Sequence, residues 1–541
     1  MKLSTQKQKW APAVVAIVPF IAAFAVWFSA LAFVPVPWPD DSAFYFVAKE
    51  LFDWPPRWVM LPQAPFEPTY RIFNFNTMPL YPVIIGIGRL IWIDGSLAIK
   101  FWPLLFWASS GALLGTILIR KGLPALAGLL VVMLFSFDPI MRWASVLVRP
   151  ESFVGLCGLA LVLGLSLGFP KRIKYRRLWD PVAALLALAA YAHFNAIHLT
   201  LPVLIIFIMN PKRLFAIALK TLLYLSPWIV LVIWHFKLFI TQMATQWERL
   251  AVPNNWLHGL TSAYQSLFPA LGSPEPWPHI LEYGSICFFA LFSLGALLGF
   301  IKYKKSTDNI NLLPASAWVL SSAWLWHSKP EVWFVYYIHI ATWCFTGLAG
   351  LKLWLHFKST QKSIFLFLLG LPLLSAMAFS AVVFGYVDVS QAMRLGSSKT
   401  WHWKTYNEFV ECVDGRLSKL ESELKLTGPF RVWCPTFPDI TIELSRKHPH
   451  WELTRTNDFW QRAPLAIKHG HEVEAVVITE TLHWDERDIS TPASEHPELQ
   501  SEWMIWKEYF LNRLWVDPGW KQNRYICQRG RWQAFLFMKN P

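Results

Sequence analysis

Two adjacent carboxylates, Asp40 and Asp41, follow directly on a long apolar run in "APAVVAIVPFIAAFAVWFSALAFVPVPWPDDSAFYFVAKELF". A carboxylate at the end of a membrane span is well placed to take a proton from a hydroxyl arriving from water. Three further stretches set polar groups beside apolar runs. "VLVRPESFV" carries Arg149 and Glu151, "YAHFNAIHL" carries His193, Asn195 and His198, and "WLWHSKPEVWFVYY" carries His327, Lys329, Glu331, Tyr336 and Tyr337. Carboxylates with nearby cations suit a reaction that needs a base and releases an anion. Each group also has a plainer reading. Asp41 or Ser42 suits the N-cap of the helix "AFYFVAKELF". Arg149 and Glu151 suit a local ion pair at a helix end, and the histidines suit a core or interface. Lys329 suits a snorkelling side chain, and the tyrosine pair an interfacial belt. The coincidence of four such stretches favours function, because ionisable groups at membrane depth are costly.

The elements that must position these groups are membrane spans. The chain has 541 residues, 55% apolar and 16% charged, with 32 Trp and a mean hydropathy of +0.35. Apolar runs near the length of a hydrocarbon core recur along it, and tryptophan suits membrane interfaces. The first run is too long for a cleaved signal peptide and lacks a small-residue cleavage site, so it reads as an anchor. A net charge of +14 would suit nucleic acid, but the charge lies in short clusters between apolar runs. These are "MKLSTQKQK", Arg120-Lys121, "KRIKYRR", "NPKR", "KYKK" and "KLWLHFKSTQK". Cytoplasmic loops collect Lys and Arg in this way. With these six segments inside, outward loops fall near 36–96, 138–151, 193–197, 240–279 and 327–332, and a last span near 363–386 leaves the remainder outside. The expected fold is a mainly α, polytopic helical bundle of about eleven spans. "PLYPVIIGIGRLIWI" is apolar enough to cross, but the charge parity makes it a membrane-surface or re-entrant helix instead.

From residue 387 the composition turns polar. The expected division is a transmembrane domain at 1–386 and a small extracytoplasmic α/β domain at 387–541. In the latter, "SSKTWHWKTYNEFVECVDGRLSKLESELKLTG" reads as a helix ending at Gly428. "FRVWCP" and "EAVVITE" read as strands, and "RYICQRG" with "WQAFLFM" as a hairpin. Cys157, Cys287 and Cys344 lie in spans and read as packing residues. Of Cys412, Cys434 and Cys527, an oxidising compartment allows one pair at most, and Cys434 with Cys527 is the expected one because both sit in strand-like runs. No metal-ligand spacing of Cys and His, internal repeat or low-complexity tract is visible.

The chain resembles the GT-C membrane glycosyltransferases, among them the lipid A aminoarabinose transferases and the protein O-mannosyltransferases. "WPDDSAFYFVAKELF" looks like their first outside loop, where an acidic pair opens a juxtamembrane helix. "MPLYPVIIGIGRLIWIDGSLAIKFWPLLFWASSGALLGTILIRKG", "RWASVLVRPESFVGL" and "HSKPEVWFVYY" are similar to later family stretches, and the likeness covers roughly residues 10–350. The resemblance implies a sugar donor on a polyprenyl phosphate and inversion at the anomeric carbon. It implies Asp40 as catalytic base, Asp41 as supporting acid or metal ligand, and Arg149 and Lys329 as groups that hold the phosphate. Glu151, His193, Tyr336 and Tyr337 are the further substrate-binding candidates. Family members carry Glu-Lys or His before the Pro-Leu segment where this chain has Asn76-Thr77-Met78. That departure counts against a bound divalent cation, for which Asp41 is the candidate ligand, and against an aminoarabinose transferase proper. The expected partners are the lipid-linked sugar, a glycan, lipid or protein acceptor, and membrane lipids, with no nucleic acid. The expected place is a bacterial inner membrane with a cytoplasmic N-terminus. A transporter, a non-catalytic assembly or sensor protein, and an O-antigen ligase-like enzyme are the alternatives. Transporters show internal repeats or broken helices, an assembly role leaves the four polar stretches unexplained, and the ligases lack an early Asp pair.

Overall fold

The structure is a computed structural model. It describes residues 11–24, 39–59, 73–75, 77–91, 93–136, 138, 141, 145, 148–169, 179–247, 310–328, 332–360, 403–424, 426–434, 439–454, 473–481, 524–529 and 532–539. Among the described residues the chain is mostly helical with one small sheet. The apolar part contains α1 (Ala11–Phe24), α2 (Pro39–Phe52), α3 (Leu80–Leu90), α4 (Phe101–Arg120), α5 (Ala125–Ser136) and α6 (Glu151–Leu167). It continues through α7 (Pro181–Ala192), α8 (Thr200–Phe207), α9 (Pro211–Trp234), α10 (Phe236–Trp247), α11 (Leu313–Ser328) and α12 (Val332–Thr360).

Among the described residues two helical stretches are long and apolar enough to cross a membrane, Ala98–Arg120 and Pro211–Trp234. The first is α4 with the 3-10 turn before it. The second, α9, starts where Asn210 accepts a hydrogen bond from the Arg213 amide and proline takes the first helical position, both favoured at a helix start. Its 24 residues rise roughly 36 Å at 1.5 Å each, beyond the ~30 Å hydrocarbon core. Phe215, Leu219, Leu222, Leu223, Val230 and Ile233 on it are exposed, an apolar surface fit for lipid. The pair of spans expected within 180–209 is two short helices, α7 and α8, joined by a 3-10 turn at Phe194–Leu199.

The bundle packs around α6, which touches α4, α7, α11 and α12. Two glycines on α6 allow this. A Cβ at Gly155 would lie 2.7 Å from the Tyr336 ring, and one at Gly158 2.6 Å from Trp318. Small residues bring membrane helices together in this way. The helix α3 has 11 residues, a rise of roughly 16 Å, too short to cross alone. It packs on α2 instead. Its Arg89 sits 3.4 Å from Asp94 and 5.2 Å from the centre of the Tyr45 ring.

The sheet-bearing part contains α13 (Trp403–Leu424), β1 (Arg431–Trp433), α14 (Thr441–Lys447), β2 (Glu452–Thr454), β3 (Ala475–Thr481), β4 (Arg524–Arg529) and β5 (Trp532–Met538). Tyr406, Phe409, Val410, Val413, Leu417 and Leu420 make the buried stripe of α13, with the spacing of an amphipathic helix. That stripe covers β4 and β5. The sheet order is β2-β1-β3-β5-β4, with β1 parallel to β2 and β3, and β5 antiparallel to β3 and β4. The expected hairpin is present, with Arg529 opposite Trp532. The expected helix ends at Leu424 rather than Gly428.

The disulfide differs from the expectation. Cys412 on α13 pairs with Cys527 on β4, their Cα atoms 5.9 Å apart, and Cys434 is a buried thiol. The strand order explains it. β1, which ends beside Cys434, lies three strands from β4, about 14 Å at the usual strand spacing, beyond the reach of a disulfide. Cys157 and Cys344 are buried, as read from their positions in apolar runs. Residues 240–247 continue α10. The rest of the 240–279 loop, Cys287, the last span near 363–386 and the proposed division at 386 lie outside the described residues.

Candidate active site

The helix α2 begins at Pro39, so Asp40 and Asp41 are its second and third residues. Asp41 and Ser42 therefore sit inside the first turn rather than at the cap position, and both reach across the molecule. Asp41 Oδ2 accepts from Lys100 Nζ at 2.8 Å, and Oδ1 accepts from the Val148 amide at 3.0 Å. The Asp41 side chain is 0% exposed and that of Lys100 1%. A buried pair of this kind survives only when both charges are well satisfied. Asp41 thus ties α2 to the start of α4 and to the segment leading into α6. Ser42 donates to Asp439, just before α14. Lys49 Nζ donates to Ser445 at 2.6 Å, and Glu443 accepts from the Ser96 amide at 2.9 Å. The sheet-bearing part thus grips α2 at two places, Ser42 and Lys49, and the turn before α4 at Ser96.

Beside Asp41 a second charge pair opens α6. Arg149 Nε and Nη2 lie 3.1 and 3.0 Å from Glu151 Oε1. This is the local pair of the plainer reading, with the acid in the first turn, where the helix dipole favours it. Tyr81 on α3 is buried next to it. Burial above all, then the charges of Asp41 and Glu151, hold its phenol pKa well above the ordinary value, so it stays a neutral donor. Tyr336 and Tyr337 are fully buried on α12. The Tyr336 hydroxyl faces Gly155, one turn from Glu151, and Tyr337 packs on His198 with ring centres 4.6 Å apart. Among the described residues, Glu151 Oε2 and the hydroxyls of Tyr81 and Tyr336 are buried with no hydrogen-bond partner. Buried polar groups are seldom left so.

The structure thus brings Asp41, Arg149, Glu151, Tyr336 and Tyr337 together around the start of α6. His193 is half-buried at the end of α7, where its Nδ1 accepts from the Asn195 amide at 3.1 Å. His198, not His193, enters the cluster. The side chains of Asp40 and His327, and the whole of Lys329 and Glu331, lie outside the described residues. The surroundings of Asp41 do not fit a divalent ion. One oxygen is on an ammonium and the other on an amide, so a cation's place is already taken by Lys100.

Sequence reasoning missed Lys100, Tyr81 and the Ser42–Asp439 bond. A lone lysine in "SLAIKFW", at the mouth of an apolar helix, is the signal that could have found Lys100. It also missed Asp138, which is held by His339 Nδ1 at 2.9 Å, Trp343 Nε1 at 2.8 Å and the Met141 amide at 3.1 Å. That set fastens the 138–151 connection to α12.

A mostly helical bundle with a small sheet, its α14 packed against the short helix that bears the acid pair, is a fold shared with solved structures. The crystal structure of ArnT from Cupriavidus metallidurans bound to undecaprenyl phosphate matches 97% of this chain and 99% of its own, with 12% identity and a TM-score of 0.52. The fold conclusion rests on that match. ArnT in the apo state (14% identity, TM-score 0.45, 97% and 98% coverage) is also similar. So is the archaeal oligosaccharyltransferase AglB from Archaeoglobus fulgidus, in complex with an inhibitory peptide and a dolichol-phosphate (11%, 0.48, 88% and 70%). No protein-family model matches the chain, and no curated protein sequence matches it.

Proposed function

We propose that the protein is a membrane glycosyltransferase that moves a sugar from a polyprenyl phosphate to an acceptor hydroxyl, with inversion, on the extracytoplasmic face. The observation that carries the reading is the buried cluster of Asp41, Lys100, Arg149, Glu151 and Tyr81 beneath the first turn that bears Asp40, in a fold shared with an undecaprenyl-phosphate-bound enzyme. Asp40 is the general base. It takes the hydroxyl proton as the acceptor oxygen attacks the anomeric carbon, and the bond from that carbon to the phosphate oxygen breaks on the opposite face. The centre passes through an oxocarbenium-like state, and polyprenyl phosphate leaves as an anion. Arg149 and Lys329 hold that anion, because cations are worth most where water is excluded. Asp41 is the anchor that fixes the turn rather than a reacting group. The two tyrosines and Glu151 hydrogen-bond the sugar or phosphate, His193 lies at the rim, and apolar grooves between helices take the lipid chain. No step is routed through a metal.

The test is transfer of labelled sugar from a polyprenyl phosphate by purified protein in detergent or vesicles. Release of polyprenyl phosphate with an inverted glycosidic product supports the reading. Movement of the lipid or the sugar across a sealed vesicle without bond cleavage would favour a transporter.

A further inference from the structure

We propose that Glu421, His448 and His450 form a binding site for a divalent cation of the zinc class, on the sheet-bearing part and apart from the transfer site. Glu421 lies on α13, while His448 and His450 flank Pro449 where the chain leaves α14. One ligand atom from each lies within 4.8 Å of the others. A tetrahedral zinc with bonds of about 2.0–2.1 Å sets its ligand atoms roughly 3.3 Å apart, so small side-chain movements close the set. Glu421 and His450 are already in contact, Oε1 to Nε2 at 2.8 Å.

The central ring is held in advance. His448 stacks on Trp451 with centres 3.8 Å apart and planes 8° from parallel. Its Nε2 lies 2.6 Å from Asp414 Oδ1, and Lys447 steadies the other Asp414 oxygen at 3.0 Å. With the ion on Nδ1, Asp414 is the outer carboxylate that fixes the tautomer of a ligating imidazole. Two imidazoles and one carboxylate select zinc, nickel or copper over magnesium and calcium. The His450 side chain is 62% exposed, so an ion arrives from water and keeps a coordination position open to it. Bound there, the ion ties α13 to the C-terminal end of α14. The residue just before the other end of α14, Asp439, holds Ser42 of α2.

The experiment uses the full chain, purified with a tag that contains no histidine and stripped with EDTA. Zinc is titrated by calorimetry and cobalt by visible absorption. We expect saturable zinc binding with one equivalent lost in both His450→Ala and Glu421→Gln, and a low-coordinate cobalt spectrum that disappears with them. Asp414→Asn should weaken the site roughly 10- to 100-fold. Glu423→Gln, on the same helix, should bind as the parent does, and magnesium should not compete. Metal-free unfolding midpoints show whether each variant keeps its fold, and the two ligand variants back each other up. Equal zinc affinity in the parent and both variants, or no zinc binding at all, would overturn the site and leave a hydrogen-bonded surface pair. Sugar transfer is not the readout, so this result is independent of the transferase reading.

Discussion

At the scale of single residues, the two acids of the first turn are expected to do different work. Asp40→Asn keeps size and polarity but cannot take a proton. Transfer should fall about 100-fold or more, the scale of a positioned base, while donor binding and protein level hold. A well-folded Asp40→Asn enzyme with near-normal turnover would remove it as the base. Lys329→Ala and Arg149→Ala should instead weaken binding of the lipid phosphate by about 1.5–3 kcal/mol each, the worth of a bond to a charged group. Direct donor-binding measurements with both variants check this. Lys100→Met strands the buried Asp41 carboxylate and should cost about 3–5 kcal/mol of stability. The double variant with Asp41→Leu should recover much of it, and a melting-temperature cycle over the four proteins reads the coupling. The acids, Arg149 and Glu151 were legible in the sequence because each abuts the end of an apolar run. Lys100 was not. It meets Asp41 across 59 residues, and no local pattern says which distant segments a bundle brings together.

At the scale of elements, the grip of α14 on α2 is the feature to test. Asp439 accepts from Ser42 and from both the amide and the hydroxyl of Thr441. Asp439→Ala removes all of these acceptors and frees the start of α2. Transfer rate and melting temperature should both drop, whereas Asp439→Asn, which keeps one acceptor oxygen, should retain part of each. Unchanged rates in Asp439→Ala would mean that α2 is held well enough by its Asp41–Lys100 and Lys49–Ser445 contacts. The helices with wide apolar stripes and the β4–β5 hairpin were readable, because periodicity of 3.6 and of 2 is local information. The seven-residue α14 and the three-residue β2 were not, since elements that short exist only through what they pack on. The disulfide failed for a related reason. Cys527 lies in β4 and Cys434 directly after β1, but strand order within a sheet is a tertiary fact.

At the scale of the whole molecule, the distribution of Lys and Arg sets the expected topology. A reporter fused after Pro541 should be extracytoplasmic and one placed at 171–177 cytoplasmic, both checked by compartment-specific labelling in cells. A cytoplasmic reporter at Pro541 would mean one span more or fewer. The two hydrogen bonds between α2 and the sheet-bearing part carry one more consequence. The first turn of α2 owes its burial to two bodies at once, the bundle through Asp41 and the sheet through Ser42, so neither can melt while the other stays intact without exposing shared surface. Cooperativity should therefore run across the junction. Heating the purified protein should give one transition, with loss of sheet signal and loss of bundle fluorescence at the same temperature, and Asp439→Ala should split it into two.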